Sequence, residues 1–407
     1  MNIISAFHST HTPRAPMVEN KPEQLPDGVS VSYFTGLNGS VEYHLTIQAP
    51  TGLPFDAQLE QLISRYHDAL HTLHLAPHTA VFRRVFLSDA RNQSRQVLHS
   101  PLNSLSEDNP VALSIVQQAP LSGAKIALLA YHIDSLQAYD KQLTATGHLR
   151  LTKNGVRHLW STRLCVAASN AQPASEQTNA VFEKLVDALA QEGSNLRDHC
   201  VRTWLYLKNV DVFYQEMVTA RTQLFTDHGL TRDTHYIAST GIEGTCSHQF
   251  DTILMDAYSI PDLNPAQLSW LNDFDRLCPT IDYNVTFERG TRIAWADRNH
   301  LYLSGTASID NNGQVIHVGD ALRQLDVALD NVDALLRSGG ANLDDMQYLL
   351  VYLRDPADAP HITQRLQERL PDVPTLIVQG PVCRPEWLVE VEGVGIAPHH
   401  DPALPDF

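Results

Sequence analysis

Two carboxylates stand close together in VCRPEWLVEVEGVGI, residues 382 to 396, a segment otherwise as apolar as a core strand. Glu390 and Glu392 are separated by one residue, so on a β-strand both side chains point to the same face. If that face lines a closed pocket, burial and mutual repulsion favour a protonated carboxyl near neutral pH. Such a carboxyl could act as a general acid toward a substrate carbon. The alternative is a solvated strand face that keeps a sheet edge soluble, and we favour a structural role for Glu392.

Arginines are the candidates for binding an anionic substrate, which a chain this acidic would otherwise repel. The sequence has 29 basic and 46 acidic residues and a formal charge of −17. A bound carboxylate therefore needs a local cationic group, and the planar guanidinium binds carboxylate through two hydrogen bonds. Arg384 directly precedes Pro385, which fixes the local backbone. Arg202 lies in the apolar segment VRTWLYL, so we expect it to meet a ligand or an internal acid.

Three further features could contribute to a site. Tyr214 and Arg221 are seven residues apart in VFYQEMVTARTQLF, which places them on one helical face, although Arg221 could instead form a surface salt bridge. The ASTGI segment at 238 to 242 is interpreted as a turn in which Thr240 offers a hydroxyl and Gly241 offers exposed backbone; alone, such a turn is a weak signal. Cys383 is either a small buried hydrophobe or, beside Arg384, a thiol with a lowered pKa.

Composition excludes several classes of function. The negative charge disfavours nucleic acid and anionic membranes as partners, and no stretch approaches about 18 apolar residues. Five widely spaced cysteines indicate neither a disulfide framework nor a zinc site and fit a reducing cytoplasm. The histidines at 7 to 12 and 398 to 401 are expected to be solvated. Because the common metal and nucleotide motifs are absent, we predict no metal and no cofactor.

The chain repeats itself. VFEKLVDALAQEGSNLRDHCVRTWLYLKN near residue 181 and VALDNVDALLRSGGANLDDMQYLLVYLRD near residue 327 each join an amphipathic helix, a glycine stop and an apolar strand. A weaker copy begins near residue 66, and 260 to 279 is the predicted linker. The predicted organisation is an N-terminal extension at 1 to 29, a degenerate unit at 30 to 149, a second unit at 150 to 281 and a C-terminal unit with the catalytic strand at 282 to 407.

Strands and helices mix within each unit, which favours an α+β fold with helices on one face of each sheet. The order strand, glycine-terminated helix, VYLRD and VEVEGVGI resembles the Rid (YjgF-like) superfamily, whose members are usually homotrimers of one unit with ligand pockets between subunits. The resemblance covers the second and third units well and the first loosely. It implies three fused Rid-like (chorismate-mutase-like) units in a closed pseudo-trimer. Small Rid imine deaminases carry an arginine two residues into the strand after a proline, whereas here Thr375 and Leu376 follow Pro374.

Within that superfamily, RTWLYL, ASTGIEG and CRPEWLVEVE make the chain similar to the chorismatases, which split chorismate into pyruvate and a ring product. The resemblance implies that Glu390 is the acid that protonates the enolpyruvyl group. Chorismatases that form 3-hydroxybenzoate have a cysteine seven residues upstream, where Cys383 stands, whereas the hydrolytic subgroup tends to have alanine. Cys383 would then shape the pocket and limit water. Some relatives also make 4-hydroxybenzoate, which remains open here.

The resemblance thus predicts a cytoplasmic, cofactor-free chorismatase whose pocket lies between the second and third units. The predicted substrate-binding residues are Arg384, Arg202, Tyr214, Arg221, Thr240 and Gly241. Ser122 and Gly123 stand where the third unit has Cys383 and Arg384, so the first unit would only complete the ring. Two alternatives remain, a Rid-type imine or enamine hydrolase with a relocated arginine and a catalytically silent metabolite-binding protein. The oligomeric state is left open between a monomeric pseudo-trimer and a higher assembly.

Overall fold

A computed structural model describes residues 25 to 105 and 109 to 407. Most of the predicted N-terminal extension, with the histidines at 7 to 12, lies outside the described residues. The described chain forms three mixed β-sheets, each packed against helices. No helix of the described part is long and apolar enough to cross a membrane.

The first unit is a five-stranded sheet in the order β1-β2-β5-β3-β4, in which only β3 and β4 run parallel. Helix α1 packs against β5 and β2, and α2 packs against β4 and β3. The elements in chain order are β1 Val29–Thr35, β2 Val41–Gln48, α1 Phe55–Thr72, β3 Ala80–Leu87, α2 Ala90–Leu98, β4 Ala112–Gln117 and β5 Ile126–Asp134.

The second unit is a six-stranded sheet in the order β10-β9-β11-β8-β7-β6, with β10 and β9 parallel. Helices α3 and α5 pack against each other and against this sheet. The elements are β6 Asp140–Leu143, β7 Leu149–Lys153, β8 Val156–Leu164, α3 Ala174–Gln191, α4 Leu196–His199, β9 Cys200–Leu207, α5 Val210–Asp227, β10 Ala238–Glu243 and β11 Ile253–Ser259.

The third unit repeats this plan with strand order β12-β13-β14-β17-β15-β16. Its helix α6 begins where Asp320 accepts a hydrogen bond from the Arg323 amide and ends at Gly339, before Gly340 at φ +82°. The elements are β12 Leu268–Trp270, β13 Gly290–Ala294, β14 Arg298–Ala307, α6 Ala321–Ser338, β15 Met346–Leu353, α7 Ala359–Arg369, β16 Thr375–Gln379 and β17 Val389–Pro398.

Strand pairing corrects three details of the sequence interpretation. β6 already belongs to the second sheet, ahead of the expected start at residue 150, and β12 adds an edge strand to the third sheet from within the expected linker. ASTGI is not a turn but part of the regular edge strand β10. These segments are short or rich in small and polar residues, so they lack the apolar alternation that marks a strand, and backbone pairing alone defines them.

The three units close into a ring. β4 packs beside β8, β10 beside β14, and β2 beside β15, so each sheet meets both others. Backbone hydrogen bonds join the units as well, from the Gln117 amide to the Thr245 carbonyl at 2.8 Å and from the Gln379 amide to the Ala119 carbonyl at 2.8 Å. One apolar core runs through the centre, where Phe82 of the first unit stacks on Trp160 of the second at 4.6 Å between ring centroids. The predicted α+β pseudo-trimer is therefore confirmed.

Candidate active site

A cleft opens between the second and third units, with about 540 Å³ of space between its lining atoms, part of it open to solvent. The second unit contributes residues of α5 and β10, and the third contributes β14, β17 and the segments before β13 and β17. The residues that carry the argument below are Tyr214, Arg221, Thr240 and Gly241 from the second unit, and Tyr283, Arg289, Gly305, Cys383, Arg384 and Glu390 from the third.

Glu390 faces this cleft from the middle of a sheet. Strand β17 lies between β14 and β15, and Glu390 pairs with Ala307 on one side and Tyr352 on the other. Its side chain is 6% exposed, and burial, followed by the charge of Glu392, raises its pKa to about 8 despite Arg202 and Arg289. Glu390 therefore does not lie on a solvated sheet edge, and that alternative interpretation of the sequence is wrong. With this pKa, the Glu390 carboxyl holds its proton at neutral pH.

A register shift between two strands and a glycine within that shift leave space for the Glu390 carboxyl. The pairing of β14 with β17 shifts register between Leu303 and Thr306, and Gly305 lies within that shift. A Cβ atom on Gly305 would stand 2.2 Å from Oε1 of Glu390 and 3.1 Å from the Thr240 methyl. Only glycine leaves space for the acid at this point.

Glu392 lies deeper, in a network that crosses all three units. It is 1% exposed, forms an ion pair of 2.7 Å with Arg202, and lies 3.7 Å from Arg84 of the first unit. Trp204 Nε1 and the Tyr352 hydroxyl donate to it at 3.0 and 2.9 Å. Its role is structural, as favoured from the sequence, but as a buried acid with several partners rather than as an exposed one.

Two predicted substrate contacts belong to this network instead. Arg202 does not line the cleft; its guanidinium donates to Glu392, to the Thr203 carbonyl at 2.6 Å and to the Thr240 hydroxyl at 2.5 Å. The Thr240 hydroxyl also accepts from the Gly305 amide at 2.9 Å and donates to Glu392. Neither polar group is free for a substrate, so both position the wall behind Glu390.

Gly241 and Tyr214 form one side of the cleft. A Cβ atom on Gly241 would lie 3.2 Å from the ring of Tyr214, so the glycine lets that ring pack closely over β10. Burial raises the pKa of the Tyr214 hydroxyl well above its usual value, which keeps it a neutral hydrogen-bond donor. As predicted, α5 directs Tyr214 and Arg221 into the same space.

Three guanidinium groups face the cleft. Arg221 is 1% exposed, and its Nε and Nη2 atoms have no hydrogen-bond partner among the described residues. Arg289 is also buried; its Nε atom has no such partner, and its Nη2 atom donates to the Cys278 carbonyl at 3.2 Å. Arg384 is half-buried over the rings of Tyr283 and Trp387 at 5.2 and 4.9 Å. Buried cations with unmet donors indicate an anionic ligand, so the surface salt bridge considered for Arg221 is wrong.

Cys383 lines the same cleft, but as a neutral thiol. Burial, followed by the charge of Glu390, raises its pKa to about 12. The partial thiolate considered from its neighbour Arg384 is therefore wrong, because that guanidinium stacks on aromatic rings and does not offset the burial of the thiol.

Arg289, Tyr283 and Gly305 were missed from the sequence. Arg289 stands in NVTFERGTRIAW, where a charge among apolar and β-branched residues is the same signal that identified Arg202. Gly305 carried no signal, because its importance depends on a strand more than 80 residues away.

The other two units lack the acid. In the third sheet Glu390 pairs with Tyr352. The equivalent pairs are Leu254 with Tyr206 in the second sheet and Ala127 with Phe86 in the first. The groove between the third and first units, where Ser122 lies, has no charged residue in its lining. The positions equivalent to Glu390 in the other two units therefore carry no acid.

Comparison with known proteins agrees with this architecture. The model of the family described as endoribonuclease L-PSP matches residues 291–397. The 3-aminoacrylate deaminase RutC of Acinetobacter baylyi is 35% identical over 98 residues, which is 24% of this chain and 78% of RutC. The chain belongs to the L-PSP family, the Rid (YjgF-like) superfamily expected from its sequence.

Two further matches of this Rid-family chain are to proteins longer than a single unit. A 3-hydroxybenzoate synthase of Streptomyces hygroscopicus is 31% identical over 104 residues, 23% of this chain and 30% of that synthase. A crystal structure of a chorismatase superposes on 79% of this chain and 94% of its own chain, with a TM-score of 0.59 and 18% identity. At that identity the superposition shows a shared fold.

Proposed function

We propose that this Rid-family protein is a chorismatase that converts chorismate into 3-hydroxybenzoate and pyruvate. The observation that carries the proposal is Glu390, a carboxyl with a pKa near 8 that faces a cleft lined by Arg221, Arg289 and Arg384. A neutral acid surrounded by cations suits a substrate with two carboxylates and a carbon to be protonated. The similarity to the 3-hydroxybenzoate synthase and the chorismatase fold support the same conclusion.

The cations fit the two carboxylates of chorismate separately. Arg221 and Tyr214 share one wall and would hold the ring carboxylate through guanidinium and phenol donors. Arg289 and Arg384 lie on the third unit and would hold the carboxylate of the enolpyruvyl group. The unmet donors of Arg221 and Arg289 would gain partners on binding, which offsets the desolvation of the substrate.

Glu390 then supplies the chemical step. Its proton moves to the methylene carbon of the enol ether, which leaves an oxocarbenium ion. Pyruvate leaves with the ether oxygen, which breaks the ring C3–O bond, and the neighbouring C4 hydroxyl oxygen bonds to C3 and gives up its proton. Opening of this epoxide at its C4–O bond, with loss of the C3 proton, gives 3-hydroxybenzoate, so the overall reaction consumes no net water. Phe287, Ile309 and Trp387 line the cleft and would limit the water available to capture the cation. Cys383, a small neutral thiol, would do the same beside the acid.

The proposal is tested by incubating purified protein with chorismate. Pyruvate is followed by coupled oxidation of NADH, and ring products are separated by chromatography. Equal amounts of pyruvate and 3-hydroxybenzoate are expected, and the same run quantifies 4-hydroxybenzoate. Pyruvate with a dihydroxy-cyclohexadiene acid would identify a hydrolytic chorismatase instead. Thermal stabilisation by chorismate without pyruvate would identify a metabolite-binding protein.

A second candidate is imine or enamine hydrolysis, which the similarity to RutC favours. Against it, Thr375 and Leu376 stand where small Rid deaminases have their arginine, and they line a groove without any charged residue. The discriminating measurement supplies 2-aminoacrylate in situ and compares ammonia and pyruvate release with the spontaneous rate. Release above that rate, with no turnover of chorismate, would replace the first proposal.

A further inference from the structure

Two cysteines that are 81 positions apart meet at the end of the second sheet. Cys165 directly follows β8, and Cys246 lies in the loop after β10. Their sulfur atoms and a carboxylate oxygen of Asp251 all lie within 4.8 Å of one another, and both thiols are free. No spacing motif marks this pair in the sequence, because strand pairing brings the two segments together.

The surroundings hold this cluster in place. The Asp251 carboxylate accepts the amides of Ala167 and Ala168, each at 2.8 Å, and lies 3.7 Å from the Cys246 sulfur. Lys184 donates to the Cys165 carbonyl at 2.6 Å, which brings a cation to that segment. The two thiols are therefore fixed side by side by contacts that do not involve the cleft.

The two thiols differ in exposure and in acidity. Cys165 is half-buried, whereas Cys246 is 8% exposed. The contact with the Cys246 thiol holds the pKa of Cys165 below its usual range, and the same contact raises the pKa of Cys246. Cys200 and Cys383, by contrast, have pKa values raised to about 12, chiefly by burial. A partly exposed, acidic thiol beside a second thiol is the arrangement found at sites of reversible oxidation.

We propose that Cys165 and Cys246 form a peroxide-sensitive dithiol that closes to an intramolecular disulfide. The Cys165 sulfur attacks a hydroperoxide, the O–O bond breaks, and Cys165 becomes a sulfenic acid while water or an alcohol leaves. The Cys246 sulfur then attacks the Cys165 sulfur and releases water. The two thiols supply the two electrons that reduce the peroxide.

The same atoms fit a metal ion less well. Structural zinc sites use four protein ligands, and this cluster offers three among the described residues. Both oxygens of Asp251 already accept backbone amides, which fix the carboxylate in the loop. Oxidation to a disulfide needs only the two sulfur atoms.

The test treats the full chain with hydrogen peroxide, then alkylates and digests it for mass spectrometry. A peptide pair linked through Cys165 and Cys246 is expected, and the thiol count under denaturing conditions should fall from five to three. Cys246→Ser should trap Cys165 as a sulfenic acid that reacts with dimedone, and Cys165→Ser should leave Cys246 reduced. Cys278→Ser is the matched control and should still form the disulfide.

Three results would overturn the proposal. One is peroxide consumption without the linked peptide, and another is oxidation of Cys278 or Cys383 as fast as Cys165. The third is one equivalent of zinc in the purified protein that is lost in both Cys165→Ser and Cys246→Ser, which would make the cluster a metal site. Thermal unfolding of each serine variant shows that it is folded before these comparisons are made.

Discussion

Removing the charge of Glu392 should make Glu390 a stronger acid. After burial, Glu392 is the largest cause that raises the pKa of Glu390 to about 8. Glu392→Gln keeps the shape of the side chain and an acceptor oxygen for Trp204 or Tyr352. It also removes the ion pair between Glu392 and Arg202. The positive charge of Arg202 is then no longer neutralised and lowers the pKa of Glu390 further.

The size of the effect follows from the strand geometry. Side chains two residues apart on one strand face are about 7 Å apart. With an effective dielectric constant of about 20, two unit charges at that distance repel by about 2.4 kcal/mol, which corresponds to roughly 1.7 pKa units. We therefore expect the pKa of Glu390 in Glu392→Gln to fall from about 8 to between about 6 and 7.

The assay is the pH dependence of kcat/KM for chorismate. Because Glu390 acts in its protonated form, wild-type activity should fall about tenfold per pH unit above the pKa, and the falling limb of Glu392→Gln should begin about one to two units lower. Arg289→Met removes a cation that lowers the pKa of Glu390 and should move the limb the other way. A limb that stays in place in both variants, or moves up in Glu392→Gln, would refute the electrostatic reasoning. Circular dichroism controls for damage to the buried network.

Three further substitutions test the cleft. Arg221→Met should raise KM for chorismate by about tenfold or more. It should also raise the melting temperature, because a buried unpaired cation is removed. An unchanged KM with a lower melting temperature would contradict the role of Arg221 in binding. Gly305→Ala places a methyl 2.2 Å from the Glu390 carboxyl. It should reduce kcat by about a hundredfold while the far-UV circular dichroism spectrum stays unchanged. A wild-type kcat would show that the Glu390 carboxyl does not need this space. Cys383→Ala should shift the ring product toward the hydrolytic diol, as measured by chromatography, and an unchanged product would reject a steering role for the thiol.

The sequence was sufficient where local periodicity determines the outcome. The two-residue period of a strand placed Glu390 on a defined face, and the seven-residue spacing of Tyr214 and Arg221 placed both on one side of α5. The repeated pattern of helix, glycine and strand predicted three units. Each of these inferences needs only neighbours in the chain, whereas the pocket between two units was implied by the resemblance to the Rid superfamily.

The rest depended on partners distant in sequence. Arg202 and Thr240 have the right chemistry for a substrate, but Glu392 of another unit already occupies them. Gly305 matters only because Glu390 approaches it across the sheet. The pKa of Cys383 follows burial, which its neighbour Arg384 could not reveal. Such pairings come from tertiary packing, which residue spacing does not encode.

The most direct test compares Glu390→Gln with Glu386→Gln, whose side chain is exposed on the segment just before β17. Chorismate binding is measured by calorimetry, and pyruvate formation is measured under single-turnover conditions. Glu390→Gln should bind chorismate with a Kd near that of the wild type and lose about a thousandfold or more in rate, as expected when a general acid is removed. Glu386→Gln should behave as the wild type does. A wild-type rate in Glu390→Gln would contradict the assignment of this carboxyl as the acid.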